Sequence, residues 1–401
     1  MPLVSVVIPA YNSARYLPMC IDSALGQKHL LVEIIVVNDG STDDTDEVIF
    51  PYLSKIKYLR QENKGLSAAR NFGFKAGTGD YICFLDADDI LMPDKFEKQL
   101  EKFRQEPDLG VVISGYYDVD YDGKTIIQAV KKSWNRDGLH RLLNHEVFPP
   151  HAALIRREVL EHSNLFPEDI ETGESQEDWQ LWLDLALSNV HFGSVSAPTC
   201  LYRRNVNGSI SSNLLKHMNG ARRVVNWLKN EPRARKYFKE IDRLAAIIEV
   251  TTAGRAYRIG KLDTAIETFC SAVKIYPCYW KTPAIFKKLF ENTLDTTEIS
   301  TWNNDPDISI FEKTVIKTFI FKSKKRLSQN QFQQLAAIAY LQIADLAYAK
   351  KDIKLIRTAL FNAVSNSLTT CFHRNAFPSF VRCISGPTIG RFIGNIKRSF
   401  F

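Results

Sequence analysis

No stretch of the 401 residues approaches the roughly 18–20 uncharged apolar residues that a membrane span needs, so no transmembrane helix is expected. The opening Met1-Pro2-Leu3-Val4-Ser5 lacks the basic start and cleavage site of a secretory leader and runs straight into a strand pattern. The seven cysteines (Cys20, Cys83, Cys200, Cys270, Cys278, Cys371 and Cys383) are odd in number, and no pair has metal-ligand spacing. That argues against a disulfide scaffold or a zinc centre and for reduced thiols in a cytoplasm. No Gly-x-Gly-x-x-Gly or Walker loop follows the first apolar run, which argues against dinucleotide oxidoreductases and P-loop enzymes. Acidic residues are missing altogether between Ile353 and Phe401, a stretch that still carries seven Lys and Arg.

The last absence is part of a larger asymmetry. Through Asn213 there are 21 Lys and Arg against 31 Asp and Glu; beyond it there are 31 against 14, although the whole chain reads only +7. The two halves are electrostatically different objects, and the basic one suits an anionic partner such as a membrane surface. Nucleic acid is not expected, because the basic half has neither an aromatic-basic sheet motif nor zinc spacing.

Organisation follows the same division. Leu3–Pro9, Val32–Asn38, Ile56–Gln61 and Tyr81–Leu85 are short Val- and Ile-rich runs that read as buried parallel strands. Between them, Ala14–Leu25, Asp44–Leu53 and Leu66–Gly77 have helical spacing. This order predicts an α/β fold with a doubly wound, mostly parallel sheet. Val111–Val119 reads as a fifth strand and Tyr121-Asp122-Gly123-Lys124 as a hairpin turn into Thr125–Val130. Gln176–Ser188 reads as a helix and His191–Tyr202 as late strands. Two domains are expected: residues 1–213 and an all-helical remainder, 214–401. In the latter, Gly254–Pro277 resembles one tetratricopeptide-type helical hairpin, echoed 91 residues later around Ala347-Tyr348 and Ala363-Val364. Near residues 387–401, Ile389, Phe392, Ile393, Ile396 and Phe400 share one helical face opposite Arg391, Asn395 and Arg398. That is the pattern of a helix lying in a membrane interface, or of one docked on its neighbours.

Ligands of open α/β sheets bind beyond the carboxyl ends of the strands, so the polar residues there are the ones to weigh. Asp86-x-Asp88 follows a very apolar strand, and Asp89 adds a third carboxylate. Hard cations such as Mg²⁺ or Mn²⁺ favour such ligands with phosphate oxygens, and a bound cation would relieve the mutual repulsion. In Asp39–Thr45, Ser41 or Thr42 has helix-capping position, with Asp44 or Thr45 completing a capping box. Asp39 is left over at the strand tip, able to accept from a pyrimidine imide N–H, and Tyr11 offers a flat face for the same base. Arg70 sits on a helix otherwise lined with small residues, either as an ion-pair arginine or as a donor-site contact. Asp178 opens a helix beside Trp179 and Trp182. There it is either one end of a Ser175-x-x-Asp178 capping box or a carboxylate raised toward a useful pKa for general base work.

Pro9-Ala10-Tyr11-Asn12, Asp39-Gly40-Ser41-Thr42-Asp43, Asn63-x-Gly65-x-x-x-Ala69-Arg70-Asn71, Asp86-x-Asp88-Asp89 and Glu177-Asp178-x-x-Leu181-Trp182 occur in that order. Together, over about Val4 to Ser211, they resemble glycosyltransferase family 2 with its A-type nucleotide-sugar fold. The resemblance implies an inverting transferase that moves a sugar from a nucleotide diphosphate donor, with uridine preferred, to a hydroxyl of a glycan or lipid-linked acceptor. It implies that Pro9, Tyr11, Asp39, Arg70 and Asp86 hold the donor and Asp88 the Mg²⁺ or Mn²⁺, with Asp178 as base. His151 and Trp179 would face the acceptor, though a packed loop explains them equally. A sugar-phosphate nucleotidyltransferase would need a Gly-rich, Arg-containing loop where Ala10-Tyr11-Asn12-Ser13 stands. A catalytically silent binding protein on the same fold remains the alternative.

Overall fold

A computed structural model describes residues 2–28, 31–120, 124–130, 134, 138–169, 175–204, 214–276, 289, 319–320, 323–324, 326–349 and 353–367. The chain divides into two compact units, Met1–Lys236 and Tyr237–Phe401. The terminal stretch 387–401, the turn residues 121–123, and Ser209 to Ser211 lie outside the described residues.

The first unit is built on a nine-stranded sheet: β1 (Leu3–Ala10), β2 (Leu31–Asp39), β3 (Lys57–Gln61), β4 (Tyr81–Phe84), β5 (Ile90–Leu91), β6 (Leu109–Val119), β7 (Ile126–Val130), β8 (Ala153–Arg156) and β9 (His191–Arg203). Spatial order is β3-β2-β1-β4-β8-β6-β9-β5, with β7 pairing β6. The half β3-β2-β1-β4 is parallel, in the order expected for a doubly wound fold. The remainder corrects the expectation of a mostly parallel sheet. β8 enters antiparallel to both β4 and β6, β5 is antiparallel to β9, and only β6 and β9 run parallel there. The physical reason is a return strand that the charged Arg156-Arg157-Glu158 obscures: Ala153 to Ile155 are fully buried, but their run is too short to stand out by period.

Consecutive positions of β1, Val4 through Ala10, are buried, so both faces of the sheet are covered there. Helices of this unit are α1 (Leu17–Leu25), α2 (Thr45–Ile49), α3 (Leu66–Ala76), α4 (Lys95–Gln105), α5 (Gly138–Leu142), α6 (Arg157–Glu161), α7 (Glu177–Leu187) and α8 (Leu214–Asn230). Helix α3 lies against β1 and β2 through Gly73, where an added Cβ would meet Val7 Cγ1 at 2.3 Å and Val37 Cγ2 at 3.1 Å. At the start of α3 the Gly65 N–H reaches Asp39 at the end of β2, and Arg70 reaches Asp86 just after β4.

The second unit is helical where described: α9 (Phe238–Arg258), α10 (Leu262–Ile275), α11 (Gln329–Ala349) and α12 (Ile353–Asn366). The turn between α9 and α10 uses Gly260 at φ +78°, a conformation that suits glycine. One apolar core collects Ala256, Phe269 and Ala272 with Leu335, Leu360 and Ala363. The internal echo therefore has a structural counterpart: Phe269 and Leu360, and Ala272 and Ala363, fill equivalent places in α10 and α12. Among the described residues no helix is long and apolar enough to cross a membrane.

Candidate active site

The loops after β1 and β2 are laced together. Asn12, held at φ +50°, donates its backbone N–H to Ser41 Oγ at 3.0 Å, while its side-chain Oδ1 accepts from the Thr42 N–H at 2.8 Å. Asp43 accepts from the Thr45 hydroxyl and from the N–H groups of Ala14 and Thr45, and these bonds outweigh burial and hold its carboxyl below the ordinary range. This corrects the capping assignment. Helix α2 has Asp44 at its N-cap with no side-chain cap bond, and Ser41 and Thr42 serve the β1 loop instead. Tyr11 stands half exposed above this platform. Pro9 is buried near the end of strand β1.

Asp39 is buried, and it is not the unengaged carboxylate that its strand-tip position suggested. Oδ1 accepts from Gln61 Nε2 (2.7 Å) and the Lys64 N–H (2.8 Å), and Oδ2 from the Gly65 N–H (2.9 Å). Gly65, at φ +89°, presents that N–H just ahead of α3. A carboxylate offers about four acceptor directions, so one on Oδ2 remains for a ligand.

Arg70 is the hub. It is almost fully buried, with its guanidinium over the Phe166 ring at 5.0 Å. Nη2 donates to Asp86 Oδ1 at 2.6 Å and Nη1 to Glu177 Oε1 at 2.7 Å. Burial works against its charge, but the two carboxylates keep it protonated. This fork ties the end of β4 to the start of α7, linking groups more than ninety positions apart.

Three carboxylates crowd the turn after β4. Burial, followed by the charges of Asp89 and Asp86, pushes Asp88 up to about 8. Asp89 is fully buried; it accepts from the Arg203 N–H at 2.8 Å, and its Oδ2 lies 3.0 Å from His151 Nδ1, an ion-pair contact without the alignment of a hydrogen bond. Burial opposes a charged imidazole, yet Asp89 beside it holds His151 well above its usual value. Among the described residues, Asp86, Asp89 and His151 bring ligand-type atoms within 4.8 Å of one another, a set able to hold a metal ion. Asp89 and His151 were missed as possible ligands because no spacing rule joins positions 62 apart. The structure pairs His151 with the acidic turn, away from the acceptor-facing role the loop suggested.

Asp178 keeps some solvent access at the first turn of α7. Burial, then the charges of Glu177 and Asp86, raise its pKa to about 7, against the opposing charge of Arg70. The capping-box reading is not realised. The N-cap is Gln176, held at φ +79° with no side-chain cap bond, and Asp178 Oδ1 accepts from the adjacent Trp179 N–H at 2.7 Å. Trp179 is fully buried and donates its indole N–H to Leu142 O, so it is a packing residue.

Residues 5–163 match Glycosyl transferase family 2. Curated relatives include an uncharacterized glycosyltransferase of Nostoc sp., 39% identical over 45% of this chain and 56% of its own length. An uncharacterized glycosyltransferase of Rickettsia bellii is 32% identical over 58% of this chain and 33% of its own. Chondroitin synthase of Escherichia coli is 38% identical over 31% of this chain and 19% of its own. The chain thus spans about a third to just over half of the first two. Among solved structures, S. aureus TarS 1-349 in complex with UDP-GlcNAc aligns with a TM-score of 0.51 at 18% identity, covering 91% of this chain and 92% of that one. The Pyrobaculum calidifontis mannosyltransferase PcManGT, in complex with GDP-Man and Mn²⁺, gives 0.51 at 18% identity, covering 79% and 87%. These likenesses bear on the fold, which is that of the A-type glycosyltransferases.

Proposed function

Residues 5–163 are a Glycosyl transferase family 2 domain, and from that premise we propose that the chain is an inverting, metal-assisted glycosyltransferase using a nucleotide diphosphate sugar. One observation carries the reading. Arg70 grips both Asp86 and Glu177, so the acidic turn after β4 and the helix start bearing Asp178 are held together. Asp178, raised to about 7, is matched to taking a proton from an acceptor hydroxyl near neutrality. The freed oxygen attacks the anomeric carbon as the bond to the diphosphate breaks, and a single displacement inverts that centre. No second carboxylate on the opposite face is needed, unlike in glycosidases.

The acidic turn fits a divalent cation. Burial and the neighbouring Asp89 and Asp86 make Asp88 costly to ionise alone, and a bound Mg²⁺ or Mn²⁺ would offset that cost. Asp86, Asp89 and His151 would hold it, with Asp88 proposed as a further ligand. When bound, it would stabilise charge growing on the departing nucleoside diphosphate. Tyr11 would stack the base, and the spare acceptor direction on Asp39 suits the imide N–H of uridine, so UDP is the expected carrier. The acceptor class proposed is a glycan or lipid-linked hydroxyl.

The test is a donor panel spanning UDP- and GDP-sugars with product analysis. Asp88→Asn and EDTA should each reduce transfer by about 10²-fold or more; turnover untouched by both would remove the metal from the reading. The basic C-terminal stretch is proposed to bind anionic membrane peripherally, at about 1 kcal/mol per basic residue near the lipid. Full-length protein should sediment with anionic vesicles at low salt and a chain ending at Ser385 less; equal behaviour would return residues 387–401 to a packing role.

A further inference from the structure

Helix α8 and the 3-10 turn at Pro232–Tyr237 follow the late strands, well beyond the stretch that matches the family. Their side chains meet α7 at regular intervals. His217 Nδ1 lies 3.0 Å from Ser175 Oγ, and Gln176 Nε2 lies 3.3 Å from both ring nitrogens. Arg223 Nη1 donates to Gln180 Oε1. Arg233 donates to Asp184 Oδ1 at 2.7 Å and to Ser188 Oγ at 2.8 Å. Positions 176, 180, 184 and 188 are four apart, hence one face of α7 and its ends. At the catalytic end the approach is tightest: a Cβ on Gly220 would fall 2.0 Å from the carbonyl oxygen of Ser175. There Gln176 occupies the left-handed region that a non-glycine residue adopts only when its surroundings hold it.

We propose that α8 is a brace for the start of α7, and that His217, seated by the close approach at Gly220, is a positioning residue for Asp178. It rests on the reading of Asp178 as base. Gln176 makes no side-chain capping bond; Arg70 holds Glu177, and the hold on Ser175 and Gln176 comes from α8. With Ser175 and Gln176 held, the carboxyl of Asp178 stays beside Glu177, Arg70 and Asp86, the charged groups that set its protonation, and within the influence of Tyr202. A misplacement of about 1 Å in a reacting group costs up to 10²-fold, so a brace of this kind acts on kcat.

The experiment compares His217→Ala, His217→Asn and Asp178→Asn in the full chain. Asparagine places a hydrogen-bonding group close to where Nδ1 sits. His217→Ala should lower kcat about tenfold or more with donor affinity by calorimetry unchanged. It should also move the acid limb of the kcat profile below pH 7, as Asp178 swings toward solvent; His217→Asn should restore both. A simple packing role would lower the melting temperature of His217→Ala and leave the acid limb in place, and that result overturns the brace. If His217→Ala behaves as wild type while Asp178→Asn is inactive, the brace fails and the base stands. If Asp178→Asn is fully active, the base reading itself is wrong.

Discussion

At the scale of single residues, Asp178 carries the sharpest expectation. A carboxyl raised to about 7 by burial and by Glu177 is protonated in acid and free only near neutrality. kcat should therefore rise about tenfold per pH unit below 7 and flatten above it. The stability sign is opposite. The folded state holds this proton more tightly than the unfolded chain does, so the favourable contribution is full below the ordinary aspartate range. It is lost as pH climbs through about 7. Asp178→Asn should then cut transfer by about 10²-fold while leaving donor affinity intact, and at pH 8 it should melt no lower than wild type. A clear loss of stability at pH 8 would contradict this account. Acidic clustering after a strand singled out Asp88 as a candidate, and helix placement singled out Arg70 and Asp178. Their partners were not legible: which carboxylates one buried guanidinium grips depends on backbone paths far apart in sequence. Asp39 shows the limit from the other side. A polar strand tip marks a site, but only the fold reveals that Gln61, Lys64 and Gly65 already claim three of its acceptor directions.

At the scale of elements, the parallel half of the sheet and helices α1, α3 and α7 follow from period and length, because fully buried strands and amphipathic helices write themselves as apolar patterns. Strand β8, two-residue β5 and helix α4 do not. Their identities come from neighbours: β8 is a strand because β4 and β6 flank it. Helix α3 offers a test of how closely such contacts are made. Replacing an exposed helical glycine by alanine ordinarily stabilises by up to about 1 kcal/mol. At Gly73 the new methyl would sit 2.3 Å from Val7 Cγ1 and 3.1 Å from Val37 Cγ2, two fully buried side chains with little room to yield. Gly73→Ala should therefore lose about 1–3 kcal/mol in urea unfolding. It should also weaken donor binding, because the displaced helix carries Arg70 and follows the Gly65 N–H that Asp39 accepts. An alanine variant as stable as wild type would mean that α3 is not seated against β1 as described.

At the scale of the whole molecule, the charge asymmetry places a boundary at Asn213, but compactness places it at Lys236. The difference is α8 with the turn that follows, basic in sequence yet part of the first unit. Composition marks where one sign of charge begins to dominate; it does not register that Met218, Ala221, Val224, Val225 and Leu228 give α8 a buried face. Nor does it show that Arg233 joins Asp184 and Glu231. Two fragments decide which boundary is physical. Residues 1–236 should unfold cooperatively and bind the donor with metal about as tightly as the full chain, since every residue assigned to the site lies within them. Residues 1–213 lack α8, so the apolar surface that its buried face covers returns to water, and Asp184 is left without Arg233. A deficit of a few kcal/mol in a unit of this size lowers the melting temperature by about 5–10 °C. If the shorter fragment melts with the longer one, α8 contributes nothing to the first unit, and the boundary belongs where the charge changes.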